Sequence, residues 1–144
     1  MTVQRLKSDK EYRQSEAERD VYSDWTTSFI AHPFNGQITR VTNVDSVRQS
    51  IRNLILTNKY ERLKNPTFGC NIRRHLFEQF SPLTMQRIEE DIRQTVNGYE
   101  PRARIEEINI TPSEDKNSID ISILFYVVTA KEVQEMSLTL YRVR

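Results

Sequence analysis

Residues 118–128, SIDISILFYVV, constrain the fold of this chain more than any other stretch. Ile119, Ile121, Ile123, Phe125 and Val127 stand at alternate positions. Successive side chains of an extended strand point to opposite faces, so these five share one face. A strand with one apolar face needs neighbours in a sheet and a layer over that face. The flanking sequence supplies the neighbours. Arg104–Thr111 carries Ile108 and Ile110 in alternation, Pro112–Asn117 (PSEDKN) is a polar hairpin loop, and Thr129–Glu132 turns the chain again. The last strand, Val133–Val143, puts Met136, Leu138 and Leu140 on one face and Ser137, Thr139 and Tyr141 on the other. The expected sheet is an antiparallel meander.

The covering layer lies upstream. Residues 45–58 place Val47, Ile51, Leu54 and Ile55, with the neighbouring Val44, on one helical face, and Arg48 and Arg52 on the solvent side. Asp45 or Ser46 is the expected cap, Ser46 with Gln49 forming a capping box. A short helix is predicted over about residues 71–80, facing inward with Ile72, Leu76, Phe77 and Phe80. A third runs from Leu83 or Thr84 to Asn97, striped by Met85, Ile88, Ile92 and Val96, with Glu89, Glu90 and Asp91 solvated and Asn97-Gly98 as its stop. The fold class is therefore α+β: three helices packed on a small antiparallel three- to four-stranded sheet, with an extended N-terminal arm. Residues 1–43 form that polar arm. It has a turn at Asn35-Gly36, a short strand over Gln37–Thr42, and Trp25 and Phe34 as anchors onto the domain. Residues 44–143 form the domain.

With 144 residues, one domain with one core is expected. Hydrophobic residues make up only 37% and charged residues 28%, a balance that goes with a modest core and polar extensions. Residues 1–24 in particular lack the apolar surface that would offset the entropy of ordering them. The net charge of +1 leaves no basic stripe, so nucleic acid is not an expected partner. No apolar run approaches the ~18 residues of a membrane span, and the N-terminus shows no signal-peptide core. The single cysteine, Cys70, excludes a multi-cysteine metal framework and reads as a buried structural thiol. His32 and His75 have no triad context, and His75 reads as a packing or helix-surface histidine.

Between the third helix and the sheet stands Gly98-Tyr99-Glu100-Pro101-Arg102. The residue before a proline is driven to extended geometry, and residues i and i+2 of an extended segment share a face. Glu100 and Arg102 thus project together around a fixed Pro101. Two readings follow: a stiff charged plug desolvated by a partner, or a plain helix-to-strand turn with an incidental ion pair. Upstream, Lys59–Cys70 (KYERLKNPTFGC) is a charged loop closed by Asn65-Pro66 and Phe68-Gly69. Gly69 supplies a backbone geometry closed to other residues, and Phe68 is a plug beneath the loop.

Enzyme signatures are missing: there is no phosphate-binding glycine loop, HExxH or GxSxG. The remaining catalytic option is a glycosidase carboxylate pair, Glu61 with Glu78 or with Glu100. That chemistry requires two carboxyls roughly 5–9.5 Å apart.

Leu54–Phe77 resembles the signature of the GPW baseplate-wedge (lysozyme-like) family of contractile tails. The shared features are a helix, Glu61-Arg62, then Asn65-Pro66-Thr67-Phe68-Gly69, then a helix with Leu76-Phe77. Tyr99-Glu100-Pro101-Arg102 resembles the family's second hallmark, and Ser81-Pro82-Leu83-Thr84 fits the same framework, so the likeness spans about residues 44–143. The chain departs from it at Tyr60, where the family often has glycine, and at Leu63, where it often has proline. Relatives include the corresponding component of type VI secretion and of extracellular injection particles.

The resemblance implies a structural protein of the virion tail baseplate, assembled in the host cytoplasm in six copies around the tail axis, with no cofactor, metal or membrane. It implies docking of Glu100, Pro101 and Arg102 onto a helical bundle of neighbouring wedge subunits. It also implies that the C-terminal sheet, with Ser137, Thr139 and Tyr141 on its last strand, offers an edge to the tail sheath protein by β-augmentation. The alternative, a label the family has carried, is a peptidoglycan-cleaving lysozyme-like glycosidase.

Overall fold

Along the chain the elements are β1 (Ser23–Trp25), β2 (Arg40–Thr42), α1 (Asn43–Leu56), α2 (Ile72–His75), α3 (Pro82–Tyr99), β3 (Ala103–Ser113), β4 (Ser118–Val127) and β5 (Val133–Tyr141). The structure is a computed structural model that describes residues 21–31, 33–34, 36–113, 117–128 and 133–142. Expectations for residues 1–20, His32, Asn35, residues 114–116 and 129–132, and Val143 lie outside the described residues.

The alternation at 118–128 becomes the central strand of a three-stranded antiparallel sheet, in the order β3-β4-β5. The β3–β4 ladder runs from Ala103 opposite Val127 to Ser113 opposite Ser118, and the β4–β5 ladder from Ser118 opposite Tyr141 to Tyr126 opposite Val133. Pro112 and Ser113 belong to β3 rather than to the hairpin loop. Ile119, Ile121, Ile123, Phe125 and Val127 are all buried, facing Ile108, Met136 and Leu138 on the neighbouring strands.

Val47, Ile51, Leu54 and Ile55 of α1 and Ile88, Ile92 and Val96 of α3 are buried as their spacing predicts. Burying each such side chain stabilises the fold by about 1.5–3 kcal/mol. An exposed helix pair such as Arg93–Glu89, at 3.0 Å, contributes about 0.5 kcal/mol or less, so the apolar layer decides the architecture.

Several boundaries differ from expectation. Helix α1 starts at Asn43, so Ser46 is a buried residue within the helix rather than its cap. Arg48 does not simply face solvent: it bonds Asp45 at 2.9 Å and Gln134 of β5 at 2.9 Å. The second helix is one turn, Ile72–His75, and Phe77 is 60% exposed instead of facing inward. Helix α3 begins at Pro82, with the Ser81 hydroxyl accepting from the Thr84 N–H at 3.2 Å, and runs through Gly98 to Tyr99.

The chain divides into two units, Met1–Asn43 and Val44–Arg144. In the first, the strand expected over Gln37–Thr42 shortens to β2, which pairs with the unforeseen β1: Ser23 faces Thr42 and Trp25 faces Arg40. Asn43, at φ +49°, closes this ribbon, its Oδ1 accepting from the Val21 N–H at 2.9 Å. Trp25 and Phe34 were expected as anchors, but neither is buried. The Arg40 guanidinium lies 5.0 Å from the Trp25 ring.

Candidate functional site

The corner between α3 and β3 is built by Pro101. Gly98 does not stop the helix, because the Glu100 N–H still reaches the Val96 carbonyl at 2.8 Å. Pro101 cannot donate and pushes Glu100 out of helical geometry, to φ −126° and ψ 73°. The Glu100 carboxylate then turns inward. It accepts from Arg102 Nε at 2.5 Å and Nη2 at 2.7 Å, a bidentate pair, and from the Ser50 hydroxyl of α1. Burial pushes this carboxyl up, but the Arg102 and Ser50 hydrogen bonds and the Arg102 charge outweigh it and hold it below the usual carboxylate value. Backbone bonds fix the turn, Ala103 N–H to Glu100 O at 3.1 Å and Val128 N–H to Arg102 O at 2.9 Å.

Glu100 and Arg102 do project together. The reading of both charges as a plug desolvated by a partner is corrected for Glu100, which is 2% exposed in the lone chain. Its own fold removes it from water. The outward part of the corner is Pro101, with the Arg102 side chain 33% exposed.

The loop signature folds back against this corner. Gly69 has φ +110°, and a Cβ there would collide with the Thr57 carbonyl oxygen, so only glycine lets the loop ends close through the Cys70 N–H to Thr57 O bond of 2.8 Å. Phe68 packs edge-on against Tyr99, with centroids 5.1 Å apart, and the Arg62 guanidinium lies 4.0 Å from the Phe68 ring. The Tyr99 hydroxyl donates to Thr67 Oγ1 at 2.8 Å. Asn65 Oδ1 takes the Thr67 hydroxyl, and Glu61 Oε2 takes the Asn58 N–H at 2.9 Å. Pro66 contributes its carbonyl to the Tyr60 N–H. Burial raises the Cys70 thiol above its usual value, against hydrogen bonds from Thr95 and the backbone, which suits an inert structural thiol.

Sequence reasoning missed one contact and one residue here. Tyr99 joins the loop signature to the corner, a contact across 32 positions that no local pattern encodes. Ser50 was readable in principle: it is a half-buried polar residue beside the Val47–Ile51–Leu54 stripe, where a hydroxyl gains from a partner.

Strand β5 is elsewhere in the unit. Ser137, Thr139 and Tyr141 share its outward face, as expected, and none is buried. Thr139 donates to Asp120 of β4 at 2.6 Å, and Tyr141 is 62% exposed. Among the described residues β5 pairs only with β4, and β3 likewise pairs only with β4. The two edges are unlike. β3 shifts register between Ile105 and Glu107, and it carries Pro112, which has no N–H to offer. β5 is regular over nine residues.

A cleft of about 360 Å³ is lined by His75, Leu83, Gln86, Arg87, Glu90 and Asp91. His75 is mostly buried, with Nε2 3.1 Å from Asp91 Oδ2 and Nδ1 3.4 Å from Glu78 Oε2. Among the described residues no group of three His, Cys, Asp or Glu side chains is placed to hold a metal ion. None of the described helices is long and apolar enough to cross a membrane.

The model of the family "Baseplate wedge protein gp25" matches residues 41–132, well over half the chain. The chain belongs to that family. Baseplate wedge protein gp25 of Enterobacteria phage T4 is 31% identical over 108 residues, which cover 74% of this chain and 82% of that protein. The gp25-family match contains the loop signature, the corner and β4, and ends just before β5. Solved structures share the fold. A presumed tail lysozyme from Geobacter sulfurreducens superposes with a TM-score of 0.65 at 23% identity, covering 72% of this chain and 96% of that one. A chain of the anti-feeding prophage baseplate gives 0.60 at 21% identity, covering 83% and 84%.

Proposed function

We propose that this gp25-family chain is a non-enzymatic coupler of a contractile-tail baseplate. In this reading six copies surround the tail axis, in particles assembled in the host cytoplasm. The corner docks through Pro101 and the outward part of Arg102, both positioned by the buried Glu100, onto a helical bundle of neighbouring wedge subunits, and β5 accepts an extended strand from the first sheath ring. The observation that carries the reading is the edge of β5, which has no second partner strand among the described residues. Its row of backbone groups is a template for another strand, while the bulge and Pro112 blunt the edge of β3. Backbone pairing loaded in shear suits a joint that must hold while the sheath contracts. The rigid corner suits a fixed seat, because Pro101 and Arg102 are held by the Glu100 pair and by the ladder to Val128. The outward groups of β5, with Ser137, Thr139 and Tyr141 beside them, form the proposed sheath contact.

The carboxylates support the absence of hydrolysis. A glycosidase general acid needs a raised pKa, and Glu100 is held down and spent on Arg102. Glu61 uses an oxygen on the Asn58 N–H, and Glu78 lies beside His75. The likeness to a presumed tail lysozyme makes a muramidase assay worthwhile. No turnover is expected, and turnover lost in Glu61→Gln or Glu78→Gln would replace the coupler with the enzyme. The structural test is electron microscopy of particles made without the protein. Sheathless tails are expected; normal sheathed tails would contradict sheath initiation.

A further inference from the structure

The loop between α1 and α2 carries a feature that neither the corner nor the β5 edge uses. Tyr60 has φ +69°, a left-handed conformation that costs a bulky side chain energy glycine would not lose. The strain purchases no burial: Tyr60 is 79% exposed, and Leu63, three residues on, is 98% exposed. The loop that displays them is nonetheless stiff. The Tyr60 N–H bonds the Pro66 carbonyl at 2.7 Å, and successive turns link Asn58 to Glu61, Arg62 to Asn65, and Asn65 to Phe68. The base is clamped by Phe68 and Thr67 against Tyr99. The charge around the tip is predominantly positive: Lys59, Arg62 and Lys64 surround one acid, Glu61, and none of the described carboxylates pairs with Lys59 or Lys64.

We propose that Tyr60 and Leu63 form a preorganised knob that seats in an apolar, carboxylate-rimmed depression on a neighbouring protein subunit. An aromatic anchor on a stiff element loses little entropy on docking, and such anchors dominate interface energetics. Lys59 and Lys64 select an acidic rim. Leu63 argues for a protein over a nucleic acid, since an aliphatic side chain gains nothing from a phosphate backbone. The proposal rests on the baseplate reading but uses a different surface, so the two can fail separately.

The test places a photoactivatable benzoylphenylalanine at Leu63 of the full chain and irradiates assembled particles. The expected product joins Leu63 to a neighbouring subunit at a peptide bearing Asp or Glu. Particles grown on equal amounts of wild-type and Tyr60→Gly chains should incorporate about tenfold less of the variant, although the isolated variant melts at the same or a higher temperature. Leu63→Asp should be depleted likewise. A cross-link to nucleic acid or to nothing, equal incorporation, or a lower melting temperature for Tyr60→Gly would overturn the knob. Absence of the wild-type chain from the particles would overturn the baseplate reading with it.

Discussion

The corner at Glu100–Arg102 and the edge at Val133–Tyr141 treat polar groups in opposite ways. At the corner every charge has been given a partner inside the chain: a carboxylate 2% exposed, a bidentate guanidinium and a serine from another helix. At the edge a regular nine-residue strand carries one partner strand, leaving half its ladder without one among the described residues. Desolvating the corner is a folding event, whereas the outer side of β5 has no partner strand among the described residues. The corner therefore fixes geometry, and the edge is where assembly can still gain free energy.

The largest expected effect is at the corner. Arg102→Met leaves the Glu100 carboxylate buried without its cation, with only the Ser50 hydroxyl and the backbone N–H of residue 102 to bond it, and chemical denaturation should show a loss of about 3 kcal/mol. Replacing both residues by apolar ones should recover most of it, since a buried pair contributes little net stability over well-packed apolar groups. A full loss in the double variant would mean the pair does more than satisfy itself. Because Glu100 is buried, a swap of Glu100→Arg with Arg102→Glu should destabilise the fold as well as impair assembly.

Acid should expose the same asymmetry on a smaller scale. The folded Glu100 carboxyl lies below its unfolded value of about 4.5, so its stabilisation is complete above that pH and is lost as the pH falls below it. Comparing the unfolding free energies of wild type and Glu100→Gln between pH 7 and pH 3 should show the difference shrinking with acid. A difference that does not change with pH would contradict an ionised, paired Glu100. Tyr99→Phe, which loses only the bond to Thr67, should cost about 0.5–1 kcal/mol. Ser137→Lys should change the stability of the isolated chain least, within about 0.5 kcal/mol, because it is exposed and on the outward face. In the particle, the same charge on an edge strand should prevent sheath attachment.

The parts of the fold legible in the sequence were those with a long period. β4 shows its alternation over ten residues, and α1 and α3 show a 3.6-residue stripe, so each announces its type and its buried face. What escaped was short or tertiary. β1 has three residues and exists through pairing with Arg40–Thr42, a partner its own sequence cannot specify. The end of α3 was misplaced because Gly98 resembles a stop signal, while the steric demand of Pro101 operates two residues later. The register shift near Glu106 leaves no mark in the strand's composition. At the site, the loop signature and the Glu-Pro-Arg corner were legible as motifs. Their union through Tyr99 and Phe68 was not, because it depends on α3 carrying Tyr99 back onto Thr67, 32 positions earlier.

Amide hydrogen exchange on β5 and β3, in the isolated chain and in assembled tails, most directly tests whether the open edge receives another strand. Alternate amides of Val133–Tyr141 should exchange rapidly in the isolated chain and become protected in the particle, while those along the outer side of β3 change little. Outward β5 amides that exchange as fast in the sheathed tail as in the free chain would contradict it.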